Sequence, residues 1–351
     1  MEVSGMAKYR EASINYDYWW PIAHINDFKN LENKSLRVGN KELLIIKISH
    51  TDFSVHADYC PHKRVRLSKY GKIDANNITC HYHDWCFDKE TGDCNSIGTM
   101  IGETKNFNLE TYPSKVYANF IWVYLSDRKD IEAPKLPQIK PFDLHDSYYQ
   151  LPMQGRVNAH YSFITENATD LYHAKLHELQ QPWLNPKLVE IDSNEDSVKA
   201  KYEVETPSSL GMLFSGDETK YVKVEYNYPY IHIYEEKLRF YLFVTYIPDG
   251  PKSTKVISTF YFKHFLNSKF LSKLLEPILI PILDHFSFRR VFKEDIEPVE
   301  EEQRAYDLNG TDLSRELNKV THQVRQLLVN KTQGQEILLV EPSNLRPGEV
   351  C

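Results

Sequence analysis

The chain is predicted to be an α+β protein, a small antiparallel-β domain followed by a larger domain of helices on an antiparallel sheet. Three observations predict this. Short β-rich runs between Gly, Asn and Asp turns fill the first third of the chain. A charged stretch carrying Pro134, Pro137 and Pro141 at near-regular spacing then interrupts all periodicity. Beyond it, an alternating block from Val198 to Phe262 is flanked by segments of helical character. The boundaries that follow are 17–127 for the first domain, 128–142 for a linker and 143–351 for the second domain.

Tyr18-Trp19-Trp20-Pro21 opens the first domain, and Leu43-Leu44-Ile45-Ile46 and Asn119–Leu125 are its clearest strands. In the second domain, Arg156–His177 is expected to be helical. Alternation in Tyr221–Tyr226 and Arg239–Ile247 predicts paired strands. Helices are expected again over His264–Tyr306 and Leu313–Val329, with a polar tail of little order from Asn330.

Of the 351 residues, 41% are hydrophobic and 26% charged, enough apolar material for two cores. The net charge of -7 argues against nucleic acid as a main partner. Five cysteines are an odd number and do not suggest a disulfide framework. Residues 1–18 have no apolar core of signal-peptide type. The greasiest segment, Phe265–Phe286, is broken by Lys269, Lys273, Glu276 and two prolines. Its longest uncharged run, Pro277–Leu283, is far short of the roughly 20 residues of a membrane span. The expectation is a soluble cytoplasmic protein without a membrane span.

The chemistry concentrates in Cys60-Pro61-His62 and Cys80-His81-Tyr82-His83, with seventeen residues between the two groups. Each loop supplies one thiolate and one imidazole. A [2Fe-2S] cluster held by two cysteines on one iron and two histidines on the other needs this inventory. A structural zinc site, which would make a zinc-stabilised binding module, also uses two of each. Zinc fingers, however, group their cysteines and their histidines separately. A second candidate site lies in Glu166-Asn167-Ala168-Thr169-Asp170-Leu171-Tyr172-His173-Ala174-Lys175-Leu176-His177. On a helix His173 and His177 would share a face, with Asp170 one turn earlier. Two histidines and a carboxylate leave open positions on iron. An amphipathic helix with surface histidines is the plainer alternative.

These residues, with Asp84-Trp85, Phe87-Asp88, Gly92, Trp19-Trp20-Pro21 and Ile121-Trp122-Val123, resemble the Rieske non-haem iron oxygenases. These are the alpha subunits of ring-hydroxylating oxygenases and the terminal oxygenases of single-component type. The first domain is similar to their Rieske domain, which implies Cys60, His62, Cys80 and His83 as cluster ligands. His81 stands where the family usually has proline, and Asp84 where glycine is common. Neither loop carries the extra cysteine of the high-potential respiratory proteins. The 166–177 segment resembles the family's Glu-Asn-x-x-Asp-x-x-His…His motif, with three residues between the histidines rather than four. His160 is the local substitute for His177. Glu294-Asp295 and the acids up to Gln303 resemble the family's later motif, which implies Asp295 as third iron ligand, with Glu294 and Asp284 behind it. The acidic run also suits a solvated helix start with Pro298 in its first turn.

The resemblance implies catalytic roles for Asp170 and Asn167. The acid corresponding to Asp170 bridges a cluster histidine of one subunit and an iron-bound histidine of its neighbour, so a homotrimer is implied. The implied activity is a terminal oxygenase that activates O2 at a mononuclear Fe(II). It would hydroxylate or oxidatively demethylate a small hydrophobic substrate, by monooxygenation rather than dioxygenation. The chain has no Gly-x-Gly-x-x-Gly and no plant-type ferredoxin cysteine run, so a separate ferredoxin or NAD(P)H-dependent reductase is expected as donor. Lys63, Arg64, Arg66, Lys69 and Lys72, with no acid among residues 63–72, are a candidate docking patch for an acidic donor. Neutralising the cluster is their alternative use. Phe214, Tyr226, Tyr228, Tyr230, Tyr234, Phe240, Tyr241 and Phe243 are candidates for an apolar pocket, or plain core. An electron-transfer protein lacking the second iron is the competing function.

Overall fold

The computed structural model describes residues 10, 14, 16–30, 32–100, 102, 104–128, 132–139, 148–177, 183–205, 220–235, 240–263, 274–275 and 289–332. The chain divides into two compact units. One comprises Tyr16–Asp143 with Ile247–Gly250; the other comprises Met1–Asn15, Leu144–Tyr246 and Pro251–Cys351.

The smaller unit is built from β1 (Tyr18–His24), β2 (Asn33–Val38), β3 (Lys41–Lys47), β4 (Phe53–Ala57), a one-turn helix α1 (Leu67–Tyr70), β5 (Gly71–Ile73), β6 (Asn77–Cys80), β7 (Trp85–Asp88), β8 (Cys94–Ile97), β9 (Thr111–Tyr112), β10 (Ser114–Tyr117) and β11 (Phe120–Leu125). They pair as three antiparallel sheets in the orders β1-β11-β10, β2-β3-β4-β9 and β5-β6-β7-β8. The run Leu43–Ile46 is buried on both faces, which explains its continuous apolar character. Residues 132–139 form no helix or strand, yet they are tied down. Trp19 Nε1 donates to the Pro134 carbonyl at 2.9 Å, and Ile139 N–H reaches the Tyr117 hydroxyl at 3.2 Å. The expected linker is laid along the smaller unit in this part.

The larger unit carries a seven-stranded antiparallel sheet of β12 (Tyr148–Val157), β13 (Leu184–Ser193), β14 (Ser197–Glu205), β15 (Lys220–Asn227), β16 (Tyr230–Glu235), β17 (Phe240–Pro248) and β18 (Thr254–Lys263). Its strand order is β12-β18-β17-β16-β15-β14-β13. The predicted alternation is present: Val222, Val224 and Tyr226 are buried while Tyr221, Lys223 and Glu225 are half-exposed.

The helical expectation for Arg156–His177 is corrected in three places. Strand β12 runs through Val157, paired with Thr254 of β18. Helix α2 spans only Tyr161–Thr169, because His160 caps its start, its side chain accepting from Ser162 N–H at 3.3 Å. Asp170 ends it in extended geometry at φ -87 and ψ 96, after which Leu171–His177 continues as 3-10 helix. Asp170 is therefore not a turn earlier on the helix that carries the histidines. Helix α3 (Arg289–Asn309) places Pro298 in its interior rather than its first turn, removing the N–H that would bond the Glu294 carbonyl. Helix α4 (Lys319–Asn330) starts later than expected, at an Asn318 cap accepting from Val320 N–H at 3.0 Å. It buries Val320, Val324, Leu327 and Leu328 at helical spacing. Most of the expected helical stretch from His264 and the tail from 333 lie outside the described residues.

A buried ion cluster joins α2 to α4. Glu166 is bonded to Arg10 at 3.1 Å and to Arg325 Nε at 3.1 Å, and Asp312 pairs with Arg10 at 2.9 Å. Arg10 also donates to Ser162 Oγ and lies over the Phe163 ring. Burial would raise the Asp312 carboxyl, but Arg10, with Ser314 and Arg325, holds it down at about 2. This folded value lies under the ordinary 3.8, so the stabilisation is complete above about pH 4 and disappears as pH falls toward 2. Asp312→Asn should lower the unfolding free energy by about 2 kcal/mol at neutral pH, the difference closing as the pH approaches 2, as read by denaturant titration.

Candidate metal centres

The first site lies on the β5–β8 sheet of the smaller unit. Cys60 and Cys80 are both buried, on an apolar bed that includes Leu44, Leu67, Ile78, Trp85 and Phe87. The two loops fold alike. Arg64 N–H bonds the Cys60 carbonyl at 2.9 Å, and Asp84 N–H bonds the Cys80 carbonyl at 2.8 Å. Both fourth residues take the left-handed conformation, at φ 58 for Arg64 and φ 57 for Asp84. This is the physical reason a glycine suits the Asp84 position; aspartate is among the side chains that tolerate it. Gly98 closes behind the second loop at φ +65, where a Cβ would stand 2.4 Å from the His83 carbonyl oxygen. Asp58, fully buried, anchors the first loop by accepting from Ser68 N–H at 2.6 Å and Ser35 Oγ at 2.8 Å.

The four side chains meet as two pairs. The Cys60 and Cys80 thiols lie within hydrogen-bonding reach, and burial pushes the Cys60 thiol up to about 11, with Cys80 adding to the shift. Backbone N–H groups of His62 and Lys63 point at the Cys60 sulfur and oppose that shift. The His62 and His83 rings stand 4.5 Å apart, and Trp85 stacks under His62 at 4.9 Å and 5°. His62 Nδ1 is buried without a hydrogen-bond partner, a nitrogen lone pair or N–H that only an added group would satisfy. His81, by contrast, is exposed, its N–H tied to the Tyr70 carbonyl at 2.8 Å. Two adjacent thiols and two adjacent imidazoles fit a two-iron cluster better than one ion. Cys86 and Cys94 are free thiols outside this group.

The second site joins the 3-10 segment to α3. His173 Nε2 and His177 Nε2 each lie 3.1 Å from the same Asp295 Oδ1. Donors bound to one ion at about 2.1 Å and near right angles are about 3 Å apart, so the spacing fits a single metal. Among the described residues this trio is the one group of its kind within 4.8 Å. Each ring's other nitrogen is also held. His173 Nδ1 donates to the backbone carbonyl of Asp170, and His177 Nδ1 faces Glu294 Oε2 at 2.9 Å. Such outer acceptors set ring orientation and basicity. Burial would raise the Asp295 carboxyl, but the two histidines hold it below the usual range. Burial likewise opposes protonation of His173 and His177, yet Asp295, with Glu294 beside His177, raises both.

Glu294 thus serves the ring of His177 rather than the shared point, and Asp284 lies outside the described residues. His160 is not in the group. It is the α2 cap, and burial lowers it to about 3. The Asp170 carboxylate does not reach His173; its Oδ1 accepts from Tyr172 N–H at 2.9 Å and from Asn318 Nδ2 at 2.8 Å. Asn167 lends its carbonyl to the Asp170 N–H at 3.0 Å, and its side chain has no hydrogen bond among the described residues. Sequence reasoning missed Asn318, Arg10, Arg325 and Asp312, because nothing local marks a residue some 150 positions away as a partner. Of the candidate pocket aromatics, Phe214 lies outside the described residues. Tyr230, Tyr234, Tyr241 and Phe243 pack on one another and on His232, whose Nδ1 accepts from the Tyr241 hydroxyl. That is the arrangement of a core.

Residues 18–113 match the Rieske [2Fe-2S] domain. Over 335 residues, 92% of this chain and 89% of its counterpart, the sequence is 25% identical to the 4beta-methylsterol monooxygenase of Methylococcus capsulatus. The fold is similar to dicamba monooxygenase bound to dicamba, with a TM-score of 0.74 at 17% identity, covering 92% of this chain and 98% of the other. It is also similar to the oxygenase–ferredoxin complex of carbazole 1,9a-dioxygenase, with a TM-score of 0.69 at 17% identity, over 98% and 96%. The chain carries a Rieske [2Fe-2S] domain and is similar over nearly its whole length to enzymes of the Rieske oxygenase type. No described helix is long and apolar enough to cross a membrane.

Two outcomes follow from this geometry. His83→Ala should abolish the visible absorbance of the cluster while His81→Ala leaves it intact, as read on purified protein. Glu294→Gln should weaken Fe(II) binding at the second site about 10-fold or more in a chelator competition, without removing it.

Proposed function

We propose that the chain receives electrons at a cluster held by Cys60, His62, Cys80 and His83 and uses them at a mononuclear iron held by His173, His177 and Asp295. The observation that carries this is the convergence of both Nε2 atoms on one carboxylate oxygen, in a chain that also pairs two thiols with two imidazoles. Iron bound there would supply O2 activation, and Asp295, His173 and His177 would hold it. Glu294 and the Asp170 carbonyl keep the rings aimed at it, and Glu294 holds a proton on His177 Nδ1. The substrate is a small, apolar organic molecule, hydroxylated or oxidatively demethylated by monooxygenation. Similarity over nearly the whole length to a methylsterol monooxygenase supports a polycyclic, sterol-like skeleton.

Asp170 is the electron bridge between subunits of a homotrimer. Its second carboxylate oxygen makes no hydrogen bond among the described residues, and exposed Tyr172 and Leu176 flank it. Tyr82, 58% exposed beside His83, is the matching apolar surface on the cluster side. The electron donor is a separate acidic ferredoxin, or a reductase carrying one. Lys63, Arg64, Arg66, Lys69 and Lys72 are all exposed and form no ion pair among the described residues, which leaves them available to steer such a partner.

Iron-reconstituted protein should contain three irons per chain and consume O2 when reduced, fastest across a panel of sterols and other apolar ring compounds. Two irons per chain with no uptake would identify an electron carrier instead. Reversing Lys69 and Lys72 to glutamate should slow reduction by an acidic ferredoxin at low salt, the gap narrowing at high salt. Equal rates would remove the docking patch.

A further inference from the structure

We propose that Asn318 is a positioning residue for Asp170, coupling the start of helix α4 to the loop that carries the iron-binding histidines. Its role as regards electron transfer rests on the function proposed for Asp170. Asn318 uses the two ends of its amide for different tasks. The Oδ1 accepts from Val320 N–H at 3.0 Å and starts α4, while the Nδ2 donates to Asp170 Oδ1 at 2.8 Å. The same carboxylate oxygen takes Tyr172 N–H at 2.9 Å, so it is saturated and the other oxygen is left for use outside this cluster. The backbone of the same residue acts on the metal side, where its carbonyl receives His173 Nδ1. One residue, Asp170, therefore links an outward carboxylate to an inward ligand, and Asn318 fixes its orientation.

The anchor is itself rigid. The α2–α4 contact is locked by Glu166 between Arg10 and Arg325, and α4 buries its apolar face through Val320, Val324, Leu327 and Leu328. Tyr202, fully buried, has its hydroxyl beside Asn318 and Asp170, with the Tyr172 ring edge-on at 5.9 Å.

Asn318→Asp keeps a strong helix cap but replaces the donor with a carboxylate facing Asp170. Asn318→Ser keeps a cap oxygen and removes the donor. In cluster-loaded enzyme, both should melt near wild type, yet bind Fe(II) at the second site about 10-fold more weakly in chelator competition. Oxidation of the pre-reduced cluster, followed by loss of its paramagnetic signal on mixing with O2 and substrate, should slow as well. Wild-type iron affinity together with a wild-type oxidation rate in the aspartate variant would overturn the proposal. If that variant does not fold, the serine variant decides by the same two measurements. If Asp170→Ala leaves cluster oxidation unchanged while Asn318→Asp still loses iron, the electron-bridge role of Asp170 fails and the positioning role stands.

Discussion

Everything at the second site depends on one carboxylate oxygen shared by two imidazoles. Asp295 Oδ1 stands 3.1 Å from both His173 Nε2 and His177 Nε2, although Asp295 is more than a hundred residues away in sequence. Three donors at this spacing are mutually tolerable only with a cation, proton or metal, between them. That constraint explains the surroundings. Each imidazole needs its second nitrogen satisfied, and the chain provides the Asp170 carbonyl for one and Glu294 for the other. It also explains why α2 stops where it does. A regular helix through Asp170 would keep that carbonyl inside its own ladder; ending at Asp170 frees it for His173.

The cluster site meets a different demand. Two loops must each present a sulfur and a nitrogen to one small object, so both adopt the same turn. A backbone bond from the fourth residue closes on the cysteine carbonyl, and that residue goes left-handed. The cost of holding Arg64 and Asp84 there is offset by the sheet below and by Asp58, whose carboxylate binds Ser68 and Ser35. Backbone N–H groups aimed at the Cys60 sulfur and the nearby cationic side chains favour negative charge at the cluster.

Away from the metals, the same economy of contacts recurs at Asp170. Its carbonyl, one carboxylate oxygen and its backbone N–H are each committed to a different neighbour, so the residue has one orientation. The buried Arg10–Glu166–Arg325–Asp312 cluster holds the elements on either side. Such a cluster favours a unique arrangement more than it adds stability, since burying the charges costs much of what their attraction returns.

The amino-acid sequence alone determined what is local or periodic. The Cys-x-His and Cys-x-x-His loops are legible because ligands on a tight turn must sit at short fixed offsets. The strands are legible because burial on a pleated sheet alternates. The broken apolar run around Pro277–Leu283 is legible as too short for a membrane span for the same kind of reason. Tertiary structure decided the rest. It selected Asp295 over Glu294 for the shared position, gave Asp170 a backbone role toward His173, and brought Arg10, Asp312, Asn318 and Arg325 to α2. These depend on which distant side chains arrive at the same point in space. Chain spacing carries no record of that, because the path between them is set by the packing of the whole sheet and its helices.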